Sequence, residues 1–551
     1  MPRAGRGVGS AAWLLALALM AWAVVPVVVI ALHASDSGLR FTGADGLIGA
    51  DGVLGADQLQ YLAWVRDAGG HGLVSNLFSL APSGRVFLEP LFAVSGALWR
   101  LGVSLQLAYL LWKPIAAVAL FAATFALARR MADSPGAGTA IVALSLFFYT
   151  PASWILNWGK LGSGSFRFQT YLVGWELLPA NKLWGYAPSA IAIALLPVVL
   201  LATDRALTRR RAGGVAGAVG VASAAALLAS WLHPWQGATL VLLLVGLAVW
   251  RRLRDWLVLA VPALAAALPP TYYELLAHGD PAWRLASSNE VVARVPLLAL
   301  GAGLGPLALV AATGVRRPGE ASLERMLLLW IAATLVTYFT VNAFPTHALQ
   351  GLSIPLAVLA VRGWQRLQAP AVLGVVAVAA VSLPGLAWDA QKLLVSARSK
   401  IPQYYLTGGD ARALDWLADR APPGGVLAPT PFAIVVPSQT GRAVWVGHPY
   451  WSADYQARAR RVDALFDGRM RPARARAFVA GTRATLLVSD CAHPSDLEDA
   501  LRGLLRAVKR FGCARVYVLA PPTVTESIAQ PTVTEGDRAA GKRTAGPTTS
   551  R

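Results

Sequence analysis

Long apolar runs separated by short polar connections occupy residues 13–32, 107–128, 137–157, 186–203, 213–231, 236–250, 256–274, 295–315, 326–343, 347–361 and 370–388. At 1.5 Å per residue, a run of about 20 residues covers a hydrocarbon core of roughly 30 Å. Backbone polar groups inside hydrocarbon must be satisfied within the segment, so such runs form helices. The pattern predicts about eleven membrane-spanning helices.

Two stretches break this pattern. The connection at 33–106 is long and carries patterned segments at Asp57 to Gly69 and Val86 to Leu101. In the first, Tyr61, Trp64, Val65 and Ala68 recur at helical spacing among Gln58, Gln60, Arg66 and Asp67, which predicts an amphipathic helix lying in the membrane interface. After residue 390 the periods alternate. Helical patterns at 411–420, 453–467, 472–482 and 495–511 intersperse with strand-like segments at 425–428, 444–447, 484–489 and 514–519. The expected fold is therefore an α-helical polytopic membrane protein over 1–390 with a C-terminal extracytoplasmic α/β domain over 391–520. The stretch 521–551, rich in Thr, Pro, Gly and Ala without apolar periodicity, is expected to be a disordered tail.

Composition agrees with a membrane protein: of 551 residues, 56% are hydrophobic and 14% charged, and the mean hydropathy is +0.52. The net charge of +20 falls largely in clusters between apolar runs, a membrane-orientation pattern and not a nucleic-acid footprint. Arg129 and Arg130, Arg205 with 209–211, Arg251, Arg252 and Arg254, Arg316, Arg317 and Arg325, and Arg362 and Arg366 mark every second connection. Short loops rich in Lys and Arg stay on the cytoplasmic side. The expectation is a multi-pass protein of the cytoplasmic membrane, N-terminus inside, with the loops at 33–106, 158–185 and 275–294 and everything after 390 outside. The first run follows Arg3 and Arg6 as a signal peptide would, but its length and the spans after it make it the first membrane helix. Cys491 and Cys513 lie in the outer region, where a disulfide is permitted. One continuous helix between them would hold them roughly 24 Å apart, whereas Gly503 and Gly512 can break it, so the sequence leaves the bond open.

Candidate chemistry gathers on the outer side. Asp57 is the leading carboxylate, able to take a proton from an acceptor hydroxyl or to hold a divalent cation such as Mg or Mn; with Gln60 it also reads as a helix cap. Asp45, Asp51 and Asp57 recur every six residues, a pattern that fits cation ligands and fits ordinary Asp-Gly turns better. Glu89 before Pro90 is a second acid or a helix-start charge. Lys113 lies within a span, where an ammonium either holds a lipid phosphate or snorkels. The turn Trp231 to Gln236 sets His233, Trp235 and Gln236 at the membrane face; indoles suit sugar faces and also anchor interfaces. Arg167, Gln169, Lys182, Glu274 and His347 make the same face polar. His448, in Gly447-His448-Pro449-Tyr450-Trp451, ranks below these because a cap by Ser452 accounts for that turn. Walker, Rossmann, CxxC and HExxH motifs are absent.

This layout, with Asp57-Gln58-Leu59-Gln60-Tyr61 in a long first outer loop and polar outer turns, resembles the GT-C superfamily of membrane glycosyltransferases. The resemblance implies a polyprenyl-phosphate sugar donor, a saccharide, lipid or protein acceptor, and transfer with inversion. It implies that Asp57 serves as catalytic base or metal ligand with Tyr61 one turn behind it. It further implies that Lys113, Arg167 or Lys182 engages the carrier phosphate. The Asp-x-Asp motif of many members is absent around Asp57. Two other classes compete: a transporter or flippase of lipid-linked saccharides, which internal repeats and intramembrane charges would mark, and a non-catalytic envelope assembly protein, indifferent to loss of Asp57.

Overall fold

A computed structural model describes residues 10–46, 53–208, 212–290, 294–315, 322–399 and 401–521. Asp51, the basic residues at 209–211 and 316–317, and the tail beyond 521 lie outside the described residues. Among the described residues, eight helices are long and apolar enough to cross a membrane: Ala11–Asp36, Leu105–Met131, Ala187–Thr208, Ala212–Leu232, Trp256–Gly279, Leu297–Gly314, Leu323–Thr340 and Ala371–Ala397. A further span is broken, with Pro135–Phe147 and Pro151–Trp158 meeting at 47°. Pro151 disfavours a helical residue before it, and Thr150 is extended. The remaining two apolar runs fall on shorter helices, Pro234–Trp250 and Ser353–Arg366. Every run is thus helical, while eight or nine spans meet the length and composition of a crossing against the eleven expected.

Aliphatic and small residues fill the bundle core, among them Ala116, Leu120, Ala190, Leu243 and Leu327. Gly314 and Gly363 let the backbones of Leu297–Gly314 and Ser353–Arg366 touch: a Cβ on Gly314 would meet the Leu359 carbonyl at 1.9 Å, and one on Gly363 the Val310 carbonyl at 2.5 Å. At one face of the bundle the basic helix ends pair, Arg130 with Asp204 at 3.5 Å and Arg362 with Glu324 at 3.0 Å.

At the other face the first loop and the C-terminal region fold together. Strand β1 (Arg40–Phe41) pairs antiparallel with β2 (Tyr405–Leu406). Strands β3 (Val426–Leu427), β4 (Leu486–Ser489), β5 (Leu505–Phe511) and β6 (Ala514–Leu519) form a sheet in the order β3-β4-β6-β5, parallel only between β3 and β4. One apolar cluster joins Leu59, Leu62 and Val65 of the loop helix Val53–His71 to Phe432, Val436 and Val488; another packs Val462, Phe466 and Val479 on the sheet's opposite side.

Three expectations change here. The loop helix is buried on nearly all sides, polar Gln58, Gln60 and Asp67 included, because the C-terminal region covers the face that would otherwise be wet. Arg66 donates to the Ser438 carbonyl and Trp64 packs edge-on against Trp451. The helix expected over 495–511 is instead a run of turns followed by β5, since Gly512, with φ of 74°, turns the chain into β6. That hairpin brings Cys513 to Cys491 with Cα atoms 4.8 Å apart, and the two sulfurs are bonded. The strand expected at 444–447 is reduced to a single bridge between Val444 and Val426.

Candidate functional site

Asp57 is the fifth residue of its helix, not its cap, because the helix begins at Val53. Its carboxylate is about a quarter exposed, with 23% of the side chain accessible. Oδ2 accepts from the Tyr186 hydroxyl at 2.9 Å, and Oδ1 faces Nε2 of His448 at 3.3 Å. The next residue, Gln58, accepts from the backbone N–H groups of Asp45 and Gly46, fastening the preceding loop to the helix. Tyr61, one turn on, lies among Phe92, Tyr109 and Tyr186 with ring centroids 5.3 to 6.4 Å away. Burial, then the Asp57 charge, pushes the phenols of Tyr61 and Tyr186 above their ordinary range, so Tyr186 remains a donor to the carboxylate.

Beside this carboxylate lies a second polar cluster. Glu176 accepts from Lys182 Nζ at 2.6 Å and from Gln350 Nε2 at 2.7 Å, and its other oxygen is 3.6 Å from His347. His233 and His347 stand ring against ring at 5.6 Å, and Trp235 lies edge-on to His347 at 4.7 Å. Gln236 donates to the Gln350 carbonyl. Burial opposes ionisation of Glu176, but Lys182 and His347 overcome it and hold the carboxyl below its ordinary value. Burial lowers the Lys182 ammonium, with Glu176 opposing, and holds the His233 imidazole well below its usual range. Nδ1 of His233, Nδ1 of His347 and Oε1 of both Gln236 and Gln350 are buried without a hydrogen-bond partner in the described structure. Asp57 acts electrostatically on His347, and Glu176 on Tyr186, so the two clusters adjoin.

The remaining candidates are engaged with other partners, although Glu89 acts electrostatically on Tyr61 as Asp57 does. Lys113 is buried in an ion pair with Asp45, their side chains 3% and 0% exposed, which leaves neither for a carrier phosphate or a cation. Arg167 turns back onto the Lys160 and Gly162 carbonyls, and Gln169 is half-buried on the same helix, Gly164–Leu177. Glu89 caps Pro90–Arg100 through the Phe92 N–H at 2.6 Å, and burial raises its carboxyl to about 8. Glu274 is exposed and pairs with His278. Sequence reasoning passed over Tyr186, Glu176, Gln350 and Asp389, and undervalued His448. Asp389 is fully buried in the last span and accepts from Asn181 and Tyr149. A carboxylate in an apolar helix was a readable signal; Tyr186 offered none.

The donor set does not make Asp57 a ready cation site. No group of three His, Cys, Asp or Glu suited to a metal occurs among the described residues, and both Asp57 oxygens already face donors from the protein.

The fold defines a class. No protein-family model and no curated protein sequence matches the chain. Among solved structures it is similar to ArnT from Cupriavidus metallidurans bound to undecaprenyl phosphate, at 14% identity and TM-score 0.50, covering 93% of this chain and 99% of that one. It is similar also to the archaeal oligosaccharyltransferase AglB from Archaeoglobus fulgidus in complex with an inhibitory peptide and a dolichol-phosphate, at 12% identity and TM-score 0.48, covering 89% and 70%. The Archaeoglobus fulgidus oligosaccharyltransferase in complex with Zn and sulfate matches at 13% identity and TM-score 0.43, covering 89% and 69%. The chain is a multi-pass membrane protein that shares the fold of ArnT.

Proposed function

We propose that this protein is an inverting glycosyltransferase that moves a sugar from a polyprenyl-phosphate carrier to an acceptor hydroxyl at the outer face of the cytoplasmic membrane. The observation that carries this reading is a partly exposed carboxylate, Asp57, held by a tyrosine and a histidine beside a buried cluster of Lys182, His233 and His347. The likeness to a fold found with undecaprenyl phosphate supports a polyprenyl-phosphate ligand.

Each oxygen of a carboxylate has two lone pairs, so one donor apiece leaves room for an incoming proton. In the reaction the acceptor oxygen attacks the anomeric carbon while its proton passes to Asp57. The bond from that carbon to the phosphate oxygen breaks, and its electron pair leaves on the polyprenyl phosphate. A single displacement inverts the anomeric centre. The developing phosphate charge is met by His233, whose Nδ1 lacks a partner and carries the ring proton in one tautomer of the neutral imidazole, with the Lys182–Glu176 pair beside it. Trp235 offers an aromatic flank for the sugar.

Asp57→Asn keeps the shape and removes the base. In membranes given 14C-labelled undecaprenyl-phosphate hexoses and pentoses, this variant is expected to lose at least about 100-fold in transfer. Wild-type transfer by Asp57→Asn, or no transfer by the parent from any donor in the panel, would overturn the reading.

A further inference from the structure

We infer that His448, carried by the C-terminal domain, is the positioning residue for the Asp57 carboxylate, so that the site is complete only with that domain seated on the first outer loop. This rests on the reading of Asp57 as proton acceptor. The imidazole is fully buried. Its Nδ1 accepts from the backbone N–H of Tyr450 at 3.2 Å, which leaves the ring proton of the neutral form on Nε2, the nitrogen facing Asp57 Oδ1. In that tautomer the ring gives a hydrogen bond to the carboxylate and has no lone pair there to take a proton. His448 therefore orients the base and does not replace it.

The segment that carries the ring is fixed by the first loop. Ser452 Oγ accepts from the N–H groups of Gly447 and His448 and donates to the Phe78 carbonyl at 2.8 Å. Asn76 donates to the Trp451 carbonyl at 2.9 Å, and the Val444 N–H donates to the Leu77 carbonyl at 2.9 Å. Tyr186 approaches the carboxylate from the start of a spanning helix and His448 from the C-terminal domain, so two parts of the chain distant in sequence set its orientation. A capped turn accounts for the backbone of 447–452 but not for a buried ring whose one outward nitrogen meets the candidate base.

The test uses the full-length protein in proteoliposomes with the labelled undecaprenyl-phosphate panel. His448→Ala is expected to lower kcat about 100-fold with KM for the donor within about threefold. His448→Gln, whose amide nitrogen reaches the former Nε2 position, is expected to recover to within about fivefold of the parent, whereas His448→Asn, reaching only the Nδ1 position, is expected to match alanine. Wild-type kcat in His448→Ala, or glutamine as slow as alanine, would overturn the inference. If Asp57→Asn is dead while His448→Ala is unimpaired, this inference alone fails; if Asp57→Asn is active, the base assignment fails first. A double-mutant cycle in thermal unfolding, with Asp57→Asn, His448→Ala and the pair, reads the contact without turnover. Non-additive Tm changes are expected, and additive ones refute the contact.

Discussion

Glu89 keeps its proton to about pH 8 because burial outweighs the backbone N–H groups of Phe92 and Leu91. Its acid is neutral in the folded protein over a range where the unfolded chain ionises, so the folded state binds the extra proton. Stability therefore falls as pH rises from about 4.5 to about 8, by up to about 1.4 kcal/mol per pH unit. Glu89→Gln retains an oxygen for the Phe92 N–H and removes the titration. Thermal unfolding in detergent is expected to show the parent losing several degrees more than Glu89→Gln between pH 5 and pH 8; parallel curves would contradict the assignment. At this scale the sequence was half legible. Asp57 stood out as a carboxylate in a helical pattern on an outer loop, but His448 lies 391 residues away, and no local pattern announces that pairing. Lys113 and Asp45 were each visible as anomalies, one as an ammonium in a span and the other as part of a six-residue recurrence. That each is the other's partner depends on tertiary packing.

That ion pair ties a spanning helix, Leu105–Met131, to the loop that precedes Asp57. Removing one partner leaves a buried charge uncompensated, so Lys113→Met is expected to destabilise the protein by about 3–5 kcal/mol. Lys113→Met combined with Asp45→Leu is expected to recover much of that loss, as read by thermal unfolding in detergent; equal losses in single and double variants would deny the pairing. Helices were the most legible elements, because an apolar run in hydrocarbon has one way to satisfy its backbone. The misread element was 495–511, where Leu497, Leu501 and Leu504 mimic a helical stripe. The chain there makes turns and then an edge strand, since Gly503 and Gly512 both adopt positive φ and β6 offers a paired neighbour. The hairpin also decides the cysteine question. The bond links residues separated by 22 positions, and replacing both cysteines with serine is expected to cost about 3 kcal/mol, measurable as a lower Tm without reductant and no difference with it.

For the whole molecule, the Arg130–Asp204 and Arg362–Glu324 pairs lie at one face and the Asp57 site with the C-terminal domain at the other. We propose that the site faces away from the cytosol. Single cysteines placed in an exposed part of the first loop, such as at Leu73, and on the domain surface, such as at Arg474, in a background lacking the native pair, are expected to react with an impermeant maleimide on intact cells. Protection of both until lysis would reverse the orientation. The short ladder between β1 and β2 has a consequence for biosynthesis. Next to it, Thr42 donates to the Gln403 carbonyl 361 residues later in the chain. At roughly 5–20 residues per second, a nascent chain needs on the order of twenty to seventy seconds to supply that partner. Until then the first loop waits without its cover, and a ribosome halted before residue 400 should leave it open to an added protease that the finished protein resists.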